Sequence, residues 1–311
     1  MHNIYPKAEC IGYSEIKKNA IKVYEHHYPN HKNLGNITNI KKKIIQDLVK
    51  KEGCDLIVGG FPCKNLTMLA RTVGVGNGLE GEKSGLFYPM CNIISWISEI
   101  NPNVNIVIEN NASMTNNNKK KISDKLSNIL DRDIYTTECD SVDYSPQTRR
   151  RLYWTTFQVK SCSKKNIFLK NIIDTKNTDN RVTSGHIKGS LNNVWKMDRD
   201  SIGEKIIENL DGTVSFKKVN IKNGKLRTFS INKLEDGKSK SIIPDYKYHI
   251  IAIPKGNGKY ILRYFTINEL EKLFTFPNGY TPKEISLSQA RELYGNSVIV
   301  NVIECILKSL Y

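Results

Sequence analysis

Apolar residues follow two periods along this chain, and the change from one to the other marks its elements. Leu56-Ile57-Val58 and Ile106-Val107-Ile108 are short unbroken apolar runs, the pattern of strands buried on both faces of a parallel sheet. The first ends in Gly59-Gly60 and the second in Glu109-Asn110-Asn111. Another strand is predicted over Cys10 to Ser14, helices over Ile16 to Tyr28 and near Ile40 to Lys51, and an aromatic strand from Leu152 to Phe157. Such alternation predicts a parallel sheet with crossover helices. From about Gln158 to Tyr260 the pattern breaks into short basic and polar pieces with turn signals at Asn209-Leu-Asp-Gly-Thr213, Lys222-Asn-Gly-Lys225 and Lys255-Gly-Asn-Gly-Lys259, which predicts a small β-rich lobe. Beyond it, Ile267 to Phe274 has helical spacing with Thr266 placed to cap it, and Ser297 to Tyr311 reads as an amphipathic helix.

With 311 residues the chain can bury a large core, and two lobes are expected. Lys and Arg number 47 against 31 Asp and Glu, a formal charge of +16, which favours a polyanionic partner and salt-sensitive binding. Solvated lysine surface accounts for part of that excess, so charge alone names no function. The seven cysteines form no Cys-x-x-Cys pair. Neither a zinc site nor a disulfide framework is indicated, and a reducing interior fits best. No apolar run reaches the length of a membrane span, and the N-terminal residues lack the layout of a secretory signal. A soluble intracellular protein is expected, cytoplasmic or nucleoid-associated, or nuclear in a eukaryotic or viral setting.

Candidate chemistry sits at the strand ends, where open α/β sheets bind ligands. Gly59-Gly60 leaves room for a ligand and Pro62 stiffens the approach to Cys63, whose thiol is the candidate nucleophile. A buried structural cysteine is the alternative for that residue alone. Glu109 closes the second apolar strand, and as a lone residue a surface acid is its alternative. Gln147-Thr-Arg149-Arg150-Arg151 gathers three guanidinium groups before the next strand, where Arg149 and Arg151 would share one face. Binding of phosphate favours Arg over Lys as well. The glycine-rich stretch Val73 to Gly85 is either a loop that closes on a substrate or an exposed connector.

A thiol, a carboxylate and arginines in this order, followed by Arg263-Tyr-Phe-Thr to Pro277 and by Tyr294-Gly-Asn-Ser-Val298, resemble the C5-cytosine DNA methyltransferase family. The resemblance covers the chain apart from a variable stretch near residues 158 to 260. It implies a doubly wound, mostly parallel α/β sheet of the S-adenosylmethionine-dependent methyltransferase type. The expected layout is a catalytic domain over 1–157, a target-recognition lobe over 158–262, and a segment 263–311 returning to the catalytic domain.

The resemblance also implies the reaction. Cytosine C5 accepts a methyl group only after a thiolate adds at C6, so Cys63 would attack a base flipped out of duplex DNA, with Pro62 ahead of it. Glu109 would donate a proton at N3, and Arg149, Arg151 and Gln147 would hold the base and the catalytic loop. Lys64 stands where the family more often has Gln. For the donor, S-adenosylmethionine, the implied contacts are Glu15 on the ribose hydroxyls, Asn36 toward the adenine where the family usually carries an Asp, and Ile16, Ile37, Leu86, Asn296 and Val298; no metal is implied. The family's Phe-x-Gly-x-Gly turn does not precede Glu15. The first strand and first donor loop are therefore expected to be missing, supplied by a start codon further upstream or by a second chain, the protein being otherwise a monomer. A catalytically impaired DNA-binding subunit is the alternative function, and an RNA substrate is a further one.

Overall fold

In a computed structural model the described residues are 4–62, 84–179, 181–182, 194–197, 202–220, 231–244 and 250–310. Their contacts divide the chain into two compact units. The first holds Met1–Asp140, Arg150–Ser163 and Ile303–Tyr311, and the second holds Ser141–Arg149 and Lys164–Val302.

The first unit is built on a four-stranded sheet of β1 (Leu56–Gly60), β2 (Asn105–Asn111), β3 (Tyr135–Asp140) and β4 (Arg150–Thr155), in the order β1-β2-β4-β3. β1 and β2 pair in parallel, and β4 runs antiparallel to both β2 and β3. β1, β2 and β3 therefore point one way and β4 is reversed among them, in keeping with a mostly parallel sheet. The reason is the connection: only residues 141–149 separate β3 from β4, too few for a crossover helix and enough for a hairpin loop.

Helices cover this sheet because their apolar residues recur on one face. Three helices share a core with it: α2 (Lys42–Glu52), α3 (Phe87–Ser98) and α4 (Asn116–Leu130), while α1 (Lys18–His27) precedes them with no buried residue and the end of α7 (Val300–Leu307) groups with this unit. α3 buries Phe87, Met90, Cys91, Ile94 and Ile97, and α4 buries Ile122, Leu126 and Leu130. Thr115 caps α4 by accepting from the Asn118 amide, and Asp131 ends it in the left-handed region at φ 49°. Ile106, Val107 and Ile108 in β2 are each no more than 1% exposed. Burying such a side chain contributes about 1.5–3 kcal/mol, so β2 anchors the unit. The strand predicted at Cys10–Ser14 is reduced to a single parallel bridge, Tyr13 to Asn33. The helix predicted from Ile16 begins at Lys18 instead.

One feature of this unit overturns an expectation. Cys162 and Cys305 form a disulfide with a Cα–Cα distance of 5.8 Å. A separation of 143 residues leaves no spacing signature from which the pairing could be read.

The second unit carries a six-stranded sheet of β5 (Val194–Met197), β6 (Ile202–Glu208), β7 (Val214–Asn220), β8 (Asn232–Lys233), β9 (Ile250–Pro254) and β10 (Lys259–Tyr264). Its order is β5-β6-β7-β10-β9-β8, antiparallel except between β8 and β9. Two of the sequence turn signals are hairpin turns: residues 209–213 join β6 to β7, and residues 255–258 join β9 to β10 with Gly256, Asn257 and Gly258 all at positive φ. The third, Lys222 to Lys225, lies outside the described residues. Helices α5 (Ile267–Leu273) and α6 (Leu287–Gly295) follow. Thr266 caps α5 in a reciprocal box with Glu269, as its position in the sequence predicted. Arg263 donates to both Glu269 oxygens at 2.7 and 2.6 Å, with the two side chains 0% and 2% exposed, and its other hydrogens go to the carbonyls of Asp174, Asn177 and Tyr264. Every partner of this buried charge is satisfied, so removing either member would cost about 3–5 kcal/mol. The sequence pattern gave no prediction for α6. Of residues 263–311, only 303–311 group with the first unit.

Candidate active site

The first unit brings the ends of β1, β2 and β4 together. Gly60, the last residue of β1, is in register with Glu109 on β2, and Asn111 is in register with Arg151 on β4. Arg151 Nε lies 2.8 Å from Glu109 Oε1, with side chains 15% and 22% exposed. The carboxylate thus has a fixed orientation while keeping a solvent-facing side. Arg151 Nη1 donates to the Arg150 carbonyl, which steadies the guanidinium from behind.

Space for that carboxylate comes from Gly60. A Cβ at this position would stand 3.2 Å from both the carbonyl oxygen and Oε2 of Glu109. Asn110 supplies the next restraint. It is 1% exposed, and its side-chain amide donates to the Phe61 carbonyl at 2.9 Å while its oxygen accepts from the Asn111 amide at 2.7 Å. Phe61 is buried against Phe87 with ring centroids 5.0 Å apart. Asn110 and Phe61 therefore fix the direction in which the chain leaves β1 toward exposed Pro62. Cys63 and the glycine-rich stretch up to residue 83 lie outside the described residues.

Gln147 and Arg149 belong to the second unit. Arg149 precedes β4, so it does not share a strand face with Arg151. The residue is 4% exposed, and its guanidinium donates to the carbonyls of Ile242 at 2.7 Å, Gly295 at 3.0 Å and Ser297 at 2.9 Å. Fully buried Gln147 accepts from the Ile242 amide at 2.8 Å. In this structure both side chains knit main-chain segments together, a use that sequence order alone does not reveal.

The residues implied for the donor fall in both units. Glu15 folds its Oε1 onto the amides of Ile16 and Lys17 at 2.8 and 2.9 Å, which leaves Oε2 as an acceptor on a half-buried side chain. Ile16 is 64% exposed, an apolar surface held in solvent beside that acceptor. Asn36 is exposed, and its side-chain oxygen accepts from the Thr38 amide and hydroxyl. Ile37 packs against the core and Leu86 precedes α3. An acceptor beside an exposed apolar side chain suits a ribose and an adenine, so the residues present fit the donor. Asn296 and Val298 lie in the second unit, where the Asn296 amide donates to the Glu292 carbonyl.

Sequence reasoning named Asn110 and Gly60 without finding their parts in the site. Alternation on a strand was the available signal: Asn110 is one residue beyond Glu109 and so faces away from it, toward the chain leaving β1.

Similarity to known proteins gives the family. Residues 2–311 match the family model described as C-5 cytosine-specific DNA methylase. The chain is 26% identical to the Type II methyltransferase M.HhaI of Haemophilus parahaemolyticus, covering 96% of this chain and 86% of that one. It is also 26% identical to the Type II methyltransferase M1.ScrFI of Lactococcus lactis subsp. cremoris, covering 98% and 72%. Among solved structures, the Entamoeba histolytica methyltransferase EhMeth superposes with a TM-score of 0.67 at 19% identity, over 96% of this chain and 88% of that one. The S. pombe Dnmt2 methyltransferase superposes with a TM-score of 0.65 at 14% identity, over 99% and 92%. These two share the fold. Because the family model matches the chain almost from end to end, and curated methyltransferases align along its whole length, the chain belongs to the C-5 cytosine-specific DNA methylase family.

Proposed function

We propose that this chain, by family a DNA cytosine-5 methyltransferase, methylates C5 of cytosine in duplex DNA with S-adenosylmethionine as donor, through a covalent adduct of Cys63 with a flipped-out base. The donor supplies the methyl group. The observation that carries the reading is the ion pair of Glu109 with Arg151 at the strand ends where the chain leaves β1 for Pro62 and Cys63. The guanidinium fixes the direction of the Glu109 carboxyl group at the strand ends, where a ring nitrogen of a flipped base would be presented to it. Protonation at N3 balances the electron pair that the attacking sulfur pushes into the ring at C6, which is the work assigned to Glu109. Glu15 and Ile16 would hold the donor's ribose and adenine, with Asn36, Ile37, Leu86, Asn296 and Val298 in supporting contact. Residues 158–262 would read the DNA.

The test is covalent trapping. The purified chain and its Cys63→Ser form are incubated with S-adenosylmethionine and duplex DNA carrying 5-fluorocytosine, and a denaturation-resistant adduct is sought. An adduct that needs both Cys63 and the donor is expected. Methyl transfer that persists in Cys63→Ser would sink the mechanism.

A further inference from the structure

Lys238 makes contacts unlike those of a surface lysine. Its ammonium donates to the carbonyl of Val142 at 2.7 Å, of Ser145 at 3.0 Å and of Ile167 at 2.5 Å. An ammonium has three hydrogens to give, and here each meets a neutral main-chain oxygen. The Phe168 ring lies 4.6 Å from the same nitrogen. Asp143, the nearby acid that acts on it through space, is itself paired with Lys164 at 3.1 Å. Three converging carbonyls with no carboxylate among them are the coordination of a small monovalent cation, built here from a side chain.

What this cation holds is the segment that carries Gln147 and Arg149. The Tyr144 and Ser145 amides both return to the Ser141 carbonyl at 2.8 Å, forming the turn whose oxygens Lys238 gathers. Residues after Lys238 then run beside residues after Ser145. The Ser239 amide donates to Pro146 at 2.7 Å, the Thr148 amide donates to Ser239 at 2.9 Å, the Ile242 amide donates to Gln147 Oε1, and Arg149 donates to the Ile242 carbonyl. Lys238 stands at the head of this ladder. Without the ammonium, three carbonyl dipoles would face one another across a small space, and the turn would open to separate them.

We propose that Lys238 is a positioning residue for methyl transfer: as a built-in monovalent cation it sets the turn at residues 142–145 and, through it, the placement of Gln147 and Arg149, whose main-chain tethers hold the segment that the resemblance assigns to the base and the catalytic loop. The proposal rests on the methyltransferase reading above. Arginine would not replace it, since a planar fork cannot point three hydrogens at this one cluster of oxygens.

The experiment compares the full-length wild type with Lys238→Ala and Lys238→Met. Methyl transfer is measured from labelled S-adenosylmethionine to unmethylated duplex DNA of mixed sequence, below the melting temperature of every form. Both variants should lose on the order of 100-fold in kcat, the scale of a small displacement of working groups, with KM for the donor held. Methylammonium should restore part of kcat in Lys238→Ala. It should do nothing for Lys238→Met, whose side chain fills the space, and tetramethylammonium, which has no N–H to donate, should restore neither. Wild-type kcat in Lys238→Met would overturn the proposal, as would a loss in Lys238→Ala that methylammonium leaves untouched. If neither variant folds, the role is architectural and positioning is refuted. A wild type that transfers no methyl group would instead refute the proposed function. The inference is then read from amide hydrogen exchange: methylammonium should protect residues 141–149 of Lys238→Ala and leave β2 unchanged, and unaltered exchange at 141–149 would overturn it.

Discussion

Two adjacent glycines at the end of β1 should respond oppositely to the same substitution. Neither Gly59 nor Gly60 has positive φ, so an alanine can adopt the backbone at either position and only the space around the new methyl group decides the outcome. At Gly59 the added carbon would meet Met90 Sδ at 3.7 Å and Ile108 Cδ1 at 4.0 Å, ordinary van der Waals contacts. At Gly60 it would meet two oxygens of Glu109 at 3.2 Å, closer than ordinary van der Waals contact. The carbonyl oxygen belongs to a strand paired on both sides, and the carboxylate is held by Arg151 at 2.8 Å, so neither neighbour can yield freely.

Overpacking of this kind costs about 1–3 kcal/mol, while restricting the unfolded chain returns about 0.4–1 kcal/mol. Gly60→Ala is therefore expected to lose about 1–2 kcal/mol net and Gly59→Ala to be neutral or to gain up to about 1 kcal/mol. Thermal melts of the two variants beside the wild type give the comparison. Displacing the carboxylate should also lower methyl transfer by about 10- to 100-fold in Gly60→Ala and leave Gly59→Ala near wild type. A Gly60→Ala protein that melts at or above Gly59→Ala would refute the reasoning, because no other difference between the two sites favours that order.

Gly295→Ala should be more severe, since its Cβ would stand 2.5 Å from main-chain atoms of both Ile243 and Pro244, and backbone has to move to admit it. A loss of about 3 kcal/mol or more in chemical denaturation is expected, beyond common overpacking, and a loss under about 1 kcal/mol would contradict the close approach. Reducing Cys162–Cys305 releases a loop of 143 residues, for which chain entropy gives an upper bound of about 5 kcal/mol. The melting temperature should fall in dithiothreitol and match that of Cys305→Ser under both conditions; equal melting of the oxidised and reduced wild type would exclude the crosslink. Burial pushes the Cys54 thiol up to about 11 and the Cys91 thiol up to about 12, from an ordinary 9.0. Their folded forms keep protons that the unfolded chain gives up above pH 9, so this stability is whole below pH 9 and is lost as pH climbs toward 12. Denaturation at pH 8 and pH 10.5 should show the decline, Cys91→Ala should flatten it, and a thiol reagent that labels either residue rapidly in the folded protein at pH 8 would contradict the burial.

Much of the first unit was legible because its strands are unbroken apolar runs. Leu56 to Val58 and Ile106 to Ile108 are apolar runs too short for helices, and the structure makes strands of both, although only the second is fully buried and Val58 is 47% exposed. The hairpin turns at 209–213 and 255–258 were legible for a different reason, since positive φ at Gly212, Gly256, Asn257 and Gly258 restricts which residues can stand there. The Cys10 to Ser14 segment misled because Ile11 is apolar enough to pack on the core while its backbone has one bridge and no ladder. Pairings over long separations left no local trace: nothing about Cys162 points to Cys305, and nothing about Lys238 points to three carbonyls that precede it by 71 to 96 residues.

The direction of β4 shows how the right residues can be named for a geometry the sequence does not contain. Glu109 and Arg151 were singled out by their types and by their places at strand boundaries, one at the end of β2 and the other at the start of β4. In an all-parallel sheet, the end of one strand and the start of its neighbour lie at opposite edges, separated by a strand length of roughly 17–20 Å. An ion pair would then be impossible. Reversal of β4 places its first residues beside the last residues of β2, Arg151 against Asn111, and the 2.8 Å contact with Glu109 follows from that register. The reversal in turn follows from the short stretch 141–149, which permits a hairpin and forbids a crossover. Lengthening that stretch with a flexible insert between Asp143 and Tyr144 would leave every residue of the pair in place while loosening the turn that brings β4 back. Methyl transfer in such a variant should fall further than its stability does, and activity equal to wild type would show that register in the sheet alone, without the turn, is enough to hold the site.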